Sequence, residues 1–184
     1  MSMRIRTNIA VALLAGATAL SGVAAHAVQP TVNVGSASGA PGATVRIALT
    51  LANGGGSVAA ASSDIAYDST QVNVKLRANG KPDCSINPAI GPDSAASKSL
   101  LASQPSLAGD AKVLRVGVIG TDNAHPIPDG VLLTCSFTIA AGATPGAKVL
   151  NNTPAASDAR AQALTVQGAN GSIVVRSKRQ RRHS

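Results

Sequence analysis

The chain has 184 residues, 16 Lys/Arg against 8 acidic residues, a formal net charge of +8, one Tyr, one Phe and no Trp. All the acids are Asp, so a carboxylate pair of glycosidase type would have to be two Asp, and nothing in the sequence marks such a pair. The charge does not point to specific nucleic-acid binding. Arg4 and Arg6 stand at the N-terminus and Arg176, Lys178, Arg179, Arg181 and Arg182 in the last nine residues, while nine Lys/Arg face eight Asp between Val28 and Val175.

The elements follow in chain order. Arg4 and Arg6, the apolar run Ile9 to Leu20 and the small residues Ala25-His26-Ala27 read as a secretory signal peptide over 1–27, with cleavage after Ala27. The run is shorter than the ~20 apolar residues of a spanning helix, and no later segment could cross a membrane. The chain is therefore expected to be secreted, periplasmic or at the cell surface. Residues 28–175 then read as one domain of almost uninterrupted period-two patterning. Thr31 to Val34 is a short strand. In the next, Val45, Ile47, Leu49 and Leu51 alternate with Arg46, Ala48 and Thr50. Ala59 to Tyr67 is a third, and Val72, Val74 and Leu76 line one face of a fourth. Asn79 to Pro92 is a long loop carrying Cys84. Ser94 to Ala102 is the best helix candidate in a chain with little helical signal. Leu114, Val116 and Val118 alternate with Arg115 and Gly117, and Thr121 to Asp129 is a second long loop.

Between Gly130 and Ile139, Val131, Leu133, Cys135, Phe137 and Ile139 share one face and Thr134, Ser136 and Thr138 the other. Pro145-Gly146 then reverses the chain before a short strand at Lys148 to Leu150. Leu164 to Gln167 and Ser172 to Val175 flank Asn170-Gly171, which predicts a hairpin turn. The sequons Asn151-Asn152-Thr153 and Asn170-Gly171-Ser172 read as turns. Eight or nine short strands predict an all-β, antiparallel, jelly-roll-like sandwich, followed by a basic, solvated tail over 176–184.

Three of these segments carry a family pattern. Pro41-Gly42-Ala43-Thr44-Val45 leads into an early strand, Tyr67-Asp68 ends another, and Gly130 to Leu132, Phe137 and Ala141 to Gly146 follow in that order. The chain so resembles the cohesin family of secreted bacterial β-sandwich binding domains over roughly residues 31–175. The resemblance implies a cohesin-like sandwich and a dockerin-like or other secreted or cell-surface protein partner, in a setting of polysaccharide breakdown. In the family one sheet face binds, through polar residues on the strand leading to the Tyr-Asp pair. The matching positions are Ala60 and Ser62, followed by Asp64, so the usual Asn and Asp are replaced. Pro41, Gly42, Tyr67, Asp68, Phe137, Pro145 and Gly146 are implied as structural motif residues.

A carbohydrate-binding module or a cell-surface structural or adhesion protein is the alternative, with polysaccharide as ligand. It is weakened by chemistry: Tyr67 and Phe137 both fall on inward faces by parity, leaving no aromatic platform for a sugar ring. No enzyme, cofactor or metal is expected. His125, between Asp122 and Asp129, reads as a solvated loop histidine rather than a catalytic base. Asp122, Asn123 and Asp129 share a loop with oxygen donors for a hard cation, but not at calcium-loop spacing. An oxidising compartment predicts a disulfide between Cys84 and Cys135, the alternative being two free thiols, one buried and one exposed.

Overall fold

The computed structural model describes residues 29–105 and 111–177. The expected signal peptide and all of the basic tail beyond Ser177 lie outside the described residues. The strands are β1 (Thr31–Val34), β2 (Ser36–Gly39), β3 (Thr44–Ala52), β4 (Ala60–Asp68), β5 (Val72–Val74), β6 (Cys84–Ile86), β7 (Ser99–Ser103), β8 (Ala111–Ile119), β9 (Gly130–Ile139), β10 (Gly146–Ser157), β11 (Ala163–Leu164) and β12 (Gly171–Val175). One 3-10 turn, Pro88–Ile90, is the only helical element among the described residues.

Two sheets form a sandwich. The first runs β1-β3-β9-β5 with β6 also on β9, and the second runs β2-β12-β10-β4-β8-β7 with β11 also on β10. All these strand pairs are antiparallel except β2 with β12. Alternation sends Ile47, Leu49 and Leu51 of β3 and Leu133, Cys135, Phe137 and Ile139 of β9 inward, where they meet Ile65 and Tyr67 of β4 and Leu114, Val116 and Val118 of β8. The two aromatic rings meet edge to face across the layers at 5.4 Å and 85°, a favoured geometry for their quadrupoles. At Ala40–Ala43, Ala43 N–H donates to Ala40 O at 3.0 Å with Gly42 at φ 85°. Pro41 supplies the fixed φ of the preceding position, as a type II turn requires.

The structure corrects several expectations. Among the described residues twelve strands replace eight or nine: β2 and β6 are too short to show a pattern, and β7 lies in the segment expected to be a helix. Val131 is not inward: pairing shifts from Leu49↔Leu133 to Thr50↔Val131, a bulge that turns Leu132 into the core and leaves Val131 39% exposed. Leu76 is also out, since β5 ends at Val74. Ser94 to Ala102 forms no helix; Ser97 has φ 46° and the chain enters β7 at Ser99. Asn151-Asn152 is strand interior, because the short strand expected at Lys148 to Leu150 is one end of the twelve-residue β10. Asn170-Gly171 makes no hairpin: β12 pairs with the start of β10 and β11 with its end.

Within the expected loop Asn79 to Pro92, β6 pairs with β9 so that Cys84 lies opposite Cys135, and the two form a disulfide with both residues buried. The bridge spans a sequence separation of 51 residues, for which loss of unfolded-chain entropy contributes about 4 kcal/mol. Alkylation of the denatured, unreduced protein should label no thiol, and reduction should lower the urea midpoint by an equivalent amount. Two labelled thiols would refute the bridge.

Candidate binding face

Among the described residues, the outward side chains of the seven-stranded sheet form one uncovered face. On β4, Ala60, Ser62, Asp64 and Ala66 alternate with the buried Ala61, Ser63, Ile65 and Tyr67. Register places Ala155 opposite Ser62 and Thr153 opposite Asp64 on β10, and Gly117 and Arg115 opposite the same two residues on β8. Leu101 and Ser103 of β7 extend the rows. The centre is thus made of Ala, Ser, Thr and Gly. A Cβ on Gly117 would come within 2.8 Å of Ser62 Cβ, so this glycine keeps the middle of the face low. Toward the margins Leu101, Val149 and Val174 are 50%, 51% and 41% exposed. They are three of the few large apolar side chains left open among the described residues, and all three share this face.

One ion pair stands in the middle. Arg115 Nε donates to Asp64 Oδ1 at 2.8 Å and Nη2 to Oδ2 at 2.6 Å, a two-pronged contact that fixes both side chains. The hydrogen bonds from Arg115, with its charge, hold the Asp64 carboxyl below its ordinary value against the opposing effect of burial. At the end of β4, Asp68 Oδ1 accepts from Thr70 N at 2.8 Å and Thr70 Oγ1 at 2.6 Å. These bonds hold the Asp68 carboxyl low and close the turn into β5. Tyr67 points the other way, into the core, where burial raises its hydroxyl pKa and Gln104 Nε2 donates to that hydroxyl. Beneath the face, Ser63 Oγ donates to Asn152 Oδ1, and Asn152 Nδ2 donates to Val32 O at 2.7 Å. That network joins β4 and β10 to β1 of the other sheet.

The loop residues considered for catalysis or cation binding are each engaged with other partners. His125 Nδ1 lies 3.1 Å from Ala95 O. Asp129 Oδ1 accepts from Asn53 N at 2.7 Å, whereas Asn123 Oδ1 faces Lys98 Nζ at 3.1 Å. No group of three or more His, Cys, Asp or Glu side chains suited to a metal occurs among the described residues. Nor does any helix among them have the length and apolar character to cross a membrane. Sequence reasoning misses Leu101, Val149 and Val174 as members of the face. The pairing that brings them together is not written in any local pattern.

A β-sandwich with one broad, open sheet face and its polar loop side chains tied up is the build of a binding module. The cohesin domain family model matches residues 30–175; the chain belongs to the cohesin family. Among solved structures it is similar to CaCohA2 of Clostridium acetobutylicum, at 26% identity over 80% of this chain and 90% of that one, with a TM-score of 0.61. CaCohA2 in its complex with a variant of CaDoc0917 gives a TM-score of 0.63, again at 26% identity, over 80% and 99% of the two chains. A non-cellulosomal cohesin from the hyperthermophilic archaeon Archaeoglobus fulgidus shares the fold at 16% identity and a TM-score of 0.59, over 83% and 94%. No curated protein matches the chain.

The ion pair gives a pH-dependent expectation. A lowered Asp64 pKa contributes stability that is fully present above the ordinary carboxylate range and lost as pH falls through the lowered value. The side chains are 34% (Asp64) and 60% (Arg115) exposed, so solvent screening limits the contribution to about 1 kcal/mol or less. Asp64→Asn should therefore cost no more than that near neutral pH, and the variant and natural chain should converge in acid, as read from urea melts at both pH values.

Proposed function

We propose that this chain is a secreted, non-enzymatic cohesin module that binds a dockerin-like protein on the outer face of its seven-stranded sheet, in extracellular polysaccharide degradation. The observation that carries the reading is the face itself: a low centre of Ala, Ser and Gly bordered by Leu101, Val149 and Val174. Small side chains let a partner helix approach closely, and open aliphatic residues gain most from burial there. CaCohA2, 26% identical, is known in a complex with a CaDoc0917 variant, which supports a protein partner of the same kind.

Ala60 and Ser62 offer a partner little hydrogen bonding beyond one hydroxyl. Recognition therefore rests on apolar contact and on the Asp64–Arg115 pair, and the partner is a dockerin whose contact surface is less polar than usual. A glycan ligand has less support, since Tyr67 is 3% and Phe137 0% exposed, and neither ring can stack on a sugar. Export agrees with the disulfide and with the leader-like sequence, and the domain spans the region from Val28 to Val175, with the basic tail appended to it.

Calorimetric titration of the mature domain with purified dockerin modules from the secreted enzymes of the source organism tests this. Saturable one-to-one binding is expected, weakened at least about 10-fold by Ala155→Arg, which places a long charged side chain in the centre of the face. Arg46→Glu, on the outer side of β3 in the other sheet, should change nothing. Absence of binding across the panel would remove the dockerin reading, and retention on soluble or insoluble glycans would put the carbohydrate reading in its place.

A further inference from the structure

The β7–β8 hairpin, at the edge of the open face, holds a group that neither the fold nor the proposed binding explains. Lys98 immediately precedes the pair Ser99↔Ile119, and its side chain is wholly buried, 0% exposed. An ammonium has three donors. Here Nζ makes one hydrogen bond among the described residues, to Asn123 Oδ1 at 3.1 Å. A buried cation so poorly satisfied is unfavourable, and burial pushes the amine toward its neutral form, against the charge of Asp122. A neutral, buried lysine amine is a nucleophile.

Its one partner is held as an electrophile. Asn123 Oδ1 also accepts from His125 N–H at 3.2 Å, a donor placed where negative charge would grow if the carboxamide carbon were attacked. Asn123 Nδ2 donates to Ser97 O at 2.9 Å and to Asp122 Oδ1 at 3.0 Å, so a carboxylate sits on the nitrogen that would leave. Gly120 lets the loop fold this tightly: a Cβ there would lie 2.1 Å from Asn123 O.

We propose that Lys98 and Asn123 condense into an intramolecular isopeptide bond. Lys98 Nζ donates its electron pair to Asn123 Cγ, and the tetrahedral oxyanion on Oδ1 is met by His125 N–H. Asp122 takes the proton that Nζ sheds and delivers it to Nδ2. The Cγ–Nδ2 bond then breaks, ammonia leaves and a secondary amide remains. Atoms balance without oxidant, reductant or cofactor. The amide keeps a single N–H where the amine had unsatisfied donors, and it ties the start of β7 to the loop after β8, fastening the edge strand at its open end. The bond is independent of any partner, so its fate and that of the dockerin reading are separable.

Mass spectrometry of the folded, mature natural chain, denatured and digested, is the test. The expected result is a branched peptide joining the Lys98 and Asn123 segments, lighter than the sum of its two linear parts by the mass of one ammonia. Asp122→Ala, a change at an exposed position, should keep the circular dichroism of the natural chain and yield linear Lys98 and Asn123 peptides. Linear peptides with an intact carboxamide from the natural chain would overturn the proposal, and full crosslinking in Asp122→Ala would overturn the role of that carboxylate.

Discussion

The structure depends on two sheets meeting through small and β-branched side chains. With one Phe, one Tyr and no Trp, few large rings are at hand to prop the layers apart or fill a gap. Val, Ile, Leu and Ala from both sheets must interdigitate at ordinary sandwich spacing. The Tyr67–Phe137 contact is the single place where aromatic volume bridges β4 and β9. The same period of two that sends Ile65 and Tyr67 inward sends Ser62, Asp64 and Ala66 outward, so the character of the open face is fixed by the residues the core does not take. Placing both rings in the interior also removes the usual means of holding a sugar.

How much of this can be read from the sequence depends on whether a residue's fate is local. The long strands β3, β4 and β8, and β9 from Leu133 onward, announce themselves because alternate apolar residues are buried and no other pattern competes. β10 is legible only in part: only Leu150 and Ala156 of its twelve residues are buried, so the apolar signal fades while the backbone pairing continues. Val131 escapes parity because a bulge is a property of two strands, visible in neither alone. Asn170-Gly171 has the chemistry of a hairpin turn, yet β11 and β12 both answer to β10. At Gly171 the constraint is steric, with a Cβ placed 2.2 Å from Gly35 O, and tertiary packing overrides the turn preference.

The candidate face is legible by position and not by extent. Tyr67-Asp68 locates the strand, and counting back reaches Ala60, Ser62 and Asp64, but their neighbours come from β7, β8, β10 and β12, separated by up to the length of the domain. Arg115 is one polar residue in an alternating strand until register sets it beside Asp64. Lys98 is hidden for a different reason. Sequence reasoning assigns lysine to solvent by default, and only the way the Gly91–Lys98 turns fold against the loop after β8 encloses it.

The division of labour between the sheets bears on how such a module can change partners. The disulfide lies in the five-stranded sheet, where Cys84 and Cys135 fasten β6 to β9. The polar tie from Ser63 and Asn152 to Val32 runs beneath the face without reaching its surface. Outward residues of β4, β8 and β10 therefore carry little of the stability, and the exposed Asp64–Arg115 pair contributes modestly for the same reason that it is accessible. Apart from Gly117, where the pairing with β4 leaves no room for a Cβ, substitution there costs the fold little. This is the physical condition under which the residues at Ala60 and Ser62 can change without disturbing the turn at Pro41-Gly42 or the aromatic pair beneath.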